Sequence, residues 1–105
     1  MIKVRYTDDE ITAVGHSGYD ELGKDIVCAS VSACFKMAVG MLQANGSKFH
    51  FESNESPFIG IRVKPENRAT RNVIEVLTEV LKSIEHEYPD YIQVKKVYIP
   101  NKKVQ

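Results

Sequence analysis

Ile26-Val27-Cys28-Ala29-Ser30-Val31-Ser32-Ala33-Cys34-Phe35-Lys36-Met37-Ala38-Val39-Gly40-Met41-Leu42-Gln43-Ala44 is the stretch on which the fold turns. Apolar residues return every three or four positions, and Val27, Val31, Cys34, Ala38 and Leu42 fall in one stripe, the pattern of a helix with one face against a core. Asn45 and Gly46 stop it. On both sides the period drops to two. Upstream, Ile2, Val4 and Tyr6 alternate with Lys3 and Arg5, and a turn at Thr7, Asp8 and Asp9 leads into a second strand from Glu10 to about His16. Downstream, Phe49 and Phe51 alternate with Lys48, His50 and Glu52; Pro57 closes a turn; and Ile59, Ile61 and Val63 make a fourth strand.

Pro65 is expected to open a second helix running to about Glu87, with its stripe at Val73, Leu77, Val80, Leu81 and Ile84, and Pro89 to end it. The last strand starts with Ile92 and Val94 on one phase and continues with Val97 and Ile99 on the other, which predicts a bulge near Lys95. Lys102 and Lys103 read as tail. The order ββαββαβ indicates an α+β fold, a mixed or antiparallel sheet covered by two amphipathic helices, with residues 1–105 forming one domain.

A chain of 105 residues with 43% hydrophobic content can build a core without disulfides or metals as staples. Fourteen basic and fourteen acidic residues cancel, which argues against the one-sided positive field of nucleic-acid binders, so no direct nucleic-acid binding is expected. The start, MIKVRYTDDE, lacks the apolar run of a signal peptide, and no later stretch is expected to span a bilayer; the expected address is cytoplasmic, with no membrane partner. Cys28 and Cys34 are six residues apart on one helix, about 9 Å of rise and 240° of rotation, too far round for a disulfide.

Chemistry requires that some of the titratable residues gather. His50 falls on the polar face of its strand and His86 opposite the apolar stripe of its helix, so both read as solvated; with no Cys-x-x-Cys or His-x-x-x-His spacing, neither a metal site nor any other cofactor is expected. Cys34, within the stripe, reads as a small core hydrophobe with a raised thiol pKa. Cys28 lies at the stripe's margin in the first turn, where unpaired backbone N–H groups and the positive dipole end favour a thiolate. Asp25 is placed to cap this helix, and is a second-choice candidate to orient His16. His16 stands twelve positions before Cys28, at the end of a strand whose following loop must return to the helix start, so loop closure can bring base and nucleophile together. The loop, Ser17 to Asp25, contains Gly18, Asp20, Gly23 and Lys24 and reads as a mobile surface segment.

The run from Gly15-His16-Ser17-Gly18 through Gly23-Lys24-Asp25-Ile26-Val27-Cys28-Ala29 to Ser32 resembles the signature of the ribosomal-processing cysteine proteases, the Prp family. Gly15 and Gly23 match its framing glycines, Asp25 its aspartate, His16 its histidine and Cys28 its cysteine. Ser17 stands where the family more often has alanine. The resemblance implies a cysteine endopeptidase that removes the short N-terminal extension of a bacterial large-subunit ribosomal protein, with Cys28 as nucleophile and His16 as base. It further implies a homodimer, while Gly15, Ser17, Gly18 and Gly23 would frame the substrate loop. A different class of function competes: a non-catalytic ribosome-associated or assembly-binding module, resting on the basic cluster Lys95, Lys96, Lys102 and Lys103 with Tyr91 and Tyr98.

Overall fold

The structure, a computed structural model, describes residues 1–21, 24–54, 57–64 and 66–98. Its elements follow the expected order: β1 (Ile2–Tyr6), β2 (Glu10–Val14), α1 (Ile26–Ala44), β3 (Phe49–Asn54), β4 (Phe58–Val63), α2 (Arg68–Glu87) and β5 (Ile92–Lys96). The strands form one sheet in the order β3-β4-β2-β1-β5, in which only the β1/β5 pair is parallel. Every pairing keeps the alternation of β1 in phase with its neighbours. Ile2, Val4, Ile11, Ala13, Ile61, Val63 and Ile92 are therefore buried together under the two helices, while Lys3, Thr12, Arg62 and Gln93 lie on the open face.

The helices carry two corrections to their expected stripes. In α1 the core position is Phe35, which is fully buried, and Cys34 beside it is only half-buried. Both residues continue the spacing from Val31, at i+3 and i+4, and the aromatic ring removes far more apolar surface from water than a thiol. In α2, Val80 is exposed, and Thr70, Ile74 and Thr78 join Val73, Leu77 and Leu81 on the buried face. The threonines are tolerated because their hydroxyls are bonded, Thr78 Oγ1 donating to Ile74 O at 2.8 Å and Thr70 Oγ1 pairing with Ser47 Oγ at 2.6 Å. This helix begins at Arg68, capped by the Asn67 side chain, which accepts from Thr70 N–H at 2.9 Å; Pro65 lies outside the described residues.

Other expectations also shift. β2 ends at Val14, so His16 is two residues past the strand. The β1/β5 ladder runs unbroken from Ile2/Ile92 to Tyr6/Lys96, with Val97 N–H still reaching Tyr6 O at 2.9 Å. No bulge occurs at Lys95; the phase change falls where the strand ends, and Ile99 lies outside the described residues. Finally, α1 is, by length and composition, long and apolar enough to cross a membrane, contrary to the expectation that no stretch would be. Here Val27, Val31, Phe35, Ala38 and Leu42 serve the core.

Candidate active site

The helix start that carries Cys28 is built by its cap. Asp25 sits in extended backbone and its Oδ1 accepts the Cys28 N–H at 2.9 Å, satisfying a donor that the first turn leaves open. Across from it, the chain leaves β2 through Gly15, whose φ is +103° and whose N–H donates to Pro57 O at 3.1 Å. A Cβ there would lie 2.6 Å from the Met1 carbonyl oxygen, so only glycine permits the bend. That bend turns His16 outward and buries Ser17.

Ser17 meets the helix start at two points. Its N–H donates to Cys28 Sγ at 3.4 Å, and its hydroxyl donates to Asp25 Oδ2 while accepting from Tyr19 N–H at 3.1 Å. Both Asp25 oxygens are thus engaged, one as cap and one as tether. Burial alone would raise the Asp25 pKa, but the hydrogen bonds from the Ser17 hydroxyl and the Cys28 N–H, with smaller contributions from the Asp20 backbone and the Cys28 thiol, hold it below its ordinary value.

His16, Gly18, Asp20, Asp25, Cys28, Ala29 and Ser32 line an open cleft of about 460 Å³. The expected nucleophile and base therefore share one cavity, together with Gly18 and Asp25. Among the described residues no hydrogen bond joins His16 to Cys28 or to Asp25; the aspartate acts on the histidine segment through Ser17. Ser17 is buried and does not line the cleft, and Gly23 is outside the described residues.

Two features escaped the sequence reading. Ser32 extends the cleft one turn along α1, and its i+4 spacing from Cys28 could have indicated it. Tyr19 packs edge-on against Tyr88 at 5.6 Å and Tyr91 at 5.2 Å, so the described part of the loop is fastened at both Ser17 and Tyr19. No local signal joins residues that far apart in sequence.

The remaining titratable groups are dispersed. A larger charged hollow of about 630 Å³ beside Tyr6, Arg71, Lys82 and Lys96 contains neither thiol nor any histidine. His50 is exposed on the open face, 3.7 Å from Glu52, and His86 is exposed in the last turn of α2. Among the described residues no three His, Cys, Asp or Glu side chains gather as metal ligands.

A family model for the cysteine protease Prp matches residues 1–93. The ribosomal processing cysteine protease Prp of Mycoplasma genitalium is 30% identical over 95 residues, covering 90% of this chain and 94% of that protein. Its counterpart in Mycoplasma pneumoniae is 28% identical over 92 residues, covering 88% and 91%. The crystal structure of an essential ribosomal processing protease Prp from S. aureus, in complex with a covalently linked product peptide, superposes with a TM-score of 0.81 at 21% identity, covering 91% of this chain and 97% of that one. The fold and these matches define a thiol protease of the α+β class. The chain belongs to the Prp family of cysteine proteases.

Proposed function

We propose that this chain removes the short N-terminal extension of a bacterial large-subunit ribosomal protein in the cytoplasm, with Cys28 as nucleophile and His16 as base. The observation that carries the site assignment is the shared cleft, lined both by His16 and by Cys28, which sits in the first turn of α1 with its sulfur accepting the Ser17 N–H. The names of the relatives support the ribosomal substrate.

In this mechanism His16 takes the thiol proton and the thiolate adds to the scissile carbonyl carbon. As the C–N bond breaks, His16 returns the proton to the departing amine and a thioester remains on Cys28. Water then adds to the thioester, giving up a proton to His16; the C–S bond breaks, freeing the carboxyl product, and the proton returns to sulfur. The Cys28 and Ala29 amides already donate to Asp25, so the oxyanion must take its donors from elsewhere at the helix start or from the loop.

We also infer a homodimer, supported by the apolar side chains that α1 and α2 leave exposed, Met37 at 69% and Val76 at 52%. Of the features behind the binding-module alternative, Tyr91 is engaged by packing on Tyr19 and Lys96 forms an exposed pair with Asp8 at 3.4 Å, while Lys102 and Lys103 lie outside the described residues.

The test is incubation with the extended ribosomal-protein precursor, followed by mass. The wild-type chain shortens the precursor, Cys28→Ala does not, and His16→Ala slows the reaction by about 10²–10⁴-fold. Shortening by folded Cys28→Ala would refute the assignment.

A further inference from the structure

We infer that Ser17 is a positioning residue for the proposed nucleophile: its buried hydroxyl couples the histidine segment to the cap of α1 and so holds its own amide against the Cys28 sulfur. The inference rests on the assignment of Cys28 made above.

Ser17 is 3% exposed, and a buried hydroxyl must spend its hydrogen bonds inside the protein. Thr70 and Thr78 are likewise buried, but Thr78 turns back on its own helix and Thr70 meets Ser47 beside the start of α2. Ser17 instead closes a ring around residue 28. Tyr19 N–H donates to Ser17 Oγ, Ser17 Oγ–H donates to Asp25 Oδ2, Asp25 Oδ1 accepts the Cys28 N–H, and Ser17 N–H returns to Cys28 Sγ.

The cysteine is gripped at both its amide and its sulfur, by partners that are themselves tied together. His16 is covalently adjacent to one corner of this ring, so the same clamp sets where the imidazole segment leaves the sheet. Removing the hydroxyl keeps the residue-17 amide but releases it from the helix cap, and a shift of about an ångström at a reacting group is enough to cost catalysis. Because such a loss acts on the reacting groups rather than on peptide docking, it belongs in kcat.

The experiment compares the full chain with Ser17→Ala, Asp25→Asn and the double variant, each shown folded by its melting transition. Steady-state cleavage of the extended precursor and the rate of Cys28 alkylation by iodoacetamide are both measured. Ser17→Ala should lower kcat about tenfold with KM changed by less than about twofold, and should slow alkylation. In the Asp25→Asn background the same substitution should cost less than about twofold more, because the Ser17 hydroxyl has already lost its carboxylate acceptor. Unchanged kcat, a loss confined to KM, or a full tenfold loss repeated on Asp25→Asn would overturn the inference.

Should Ser17→Ala not fold, the wild-type chain still decides. Its Ser17 amide resonance must move when Cys28 is alkylated, and an unmoved resonance would overturn the inference as well. Failure of the proposed function reads differently, as cleavage that survives Cys28→Ala whatever residue 17 carries.

Discussion

Cys28 and Cys34 lie six residues apart on one helix, both unpaired and both half-buried, yet their surroundings have little in common. Cys28 faces an open cleft, with a backbone N–H on its sulfur and the helix start beneath it. Cys34 lines an apolar groove with Ala33, Met37, Met41, Val76 and Val80, where burial pushes its thiol pKa up. Partial burial of both thus leaves unequal chemistry: the thiolate is the nucleophile, burial disfavours it at Cys34, and the Cys28 sulfur accepts a backbone N–H. The largest expected effect follows directly: iodoacetamide at neutral pH should label Cys28 at least about tenfold faster than Cys34, read by peptide mass mapping. Labelling at equal rates would dissolve the contrast.

The difference between the two thiols was legible in the sequence, although the place of Cys34 relative to Phe35 was not. Placing Cys28 in the first turn required only the start of the helical period and the cap at Asp25, both local signals. Cys34 was expected in the core, but Phe35 takes that position, and the choice between i+3 and i+4 neighbours is made by what α2 and the sheet present. The same tertiary choice placed Val80 outward and brought Ile74 inward. The order of elements along the chain was readable because the helical runs that became Ile26–Ala44 and Arg68–Glu87 are long and uninterrupted, whereas the order of strands within the sheet has no local signal. The ring through Ser17 was not readable, since neither its burial nor the direction of its hydroxyl follows from a Ser-Gly pair in a loop.

A smaller effect separates the two duties of Asp25. Asparagine keeps an oxygen for the Cys28 N–H and an amide group toward Ser17, so Asp25→Asn should fold with cleavage reduced roughly tenfold. Full activity would reduce the residue to a cap, and an unfolded variant would contradict the geometry. The pH dependence of melting provides an independent measurement. The folded carboxyl titrates below its unfolded value, so its stabilisation is complete above the unfolded range, about pH 4, and is lost as pH falls through the folded value. Below about pH 4 the wild-type melting point should therefore fall more steeply than that of Asp25→Asn, and parallel curves would show that the carboxylate contributes nothing specific.

The smallest effect is expected at Cys34, and it closes the comparison from the other side. The side chain is half-buried between α1 and α2, packed against the edge of the core around Phe35 and lining the outer groove. Truncation to alanine removes one sulfur from a site already open on one side, so the cavity term stays small and the loss should be about 1 kcal/mol or less. A first-turn ring built from Ser17, Asp25 and Cys28 has no contact with this groove, so cleavage by Cys34→Ala should stay within about twofold of wild type. Denaturant unfolding and precursor cleavage on the same preparation measure both quantities. Because the groove is also the apolar surface offered for a homodimer, sedimentation should accompany them: a drop in cleavage that tracks dissociation would assign the effect to assembly. Loss of cleavage in a folded variant of unchanged mass in solution would instead mean that the thiol at 34 takes part in the reaction, and the division between the two cysteines would have to be redrawn.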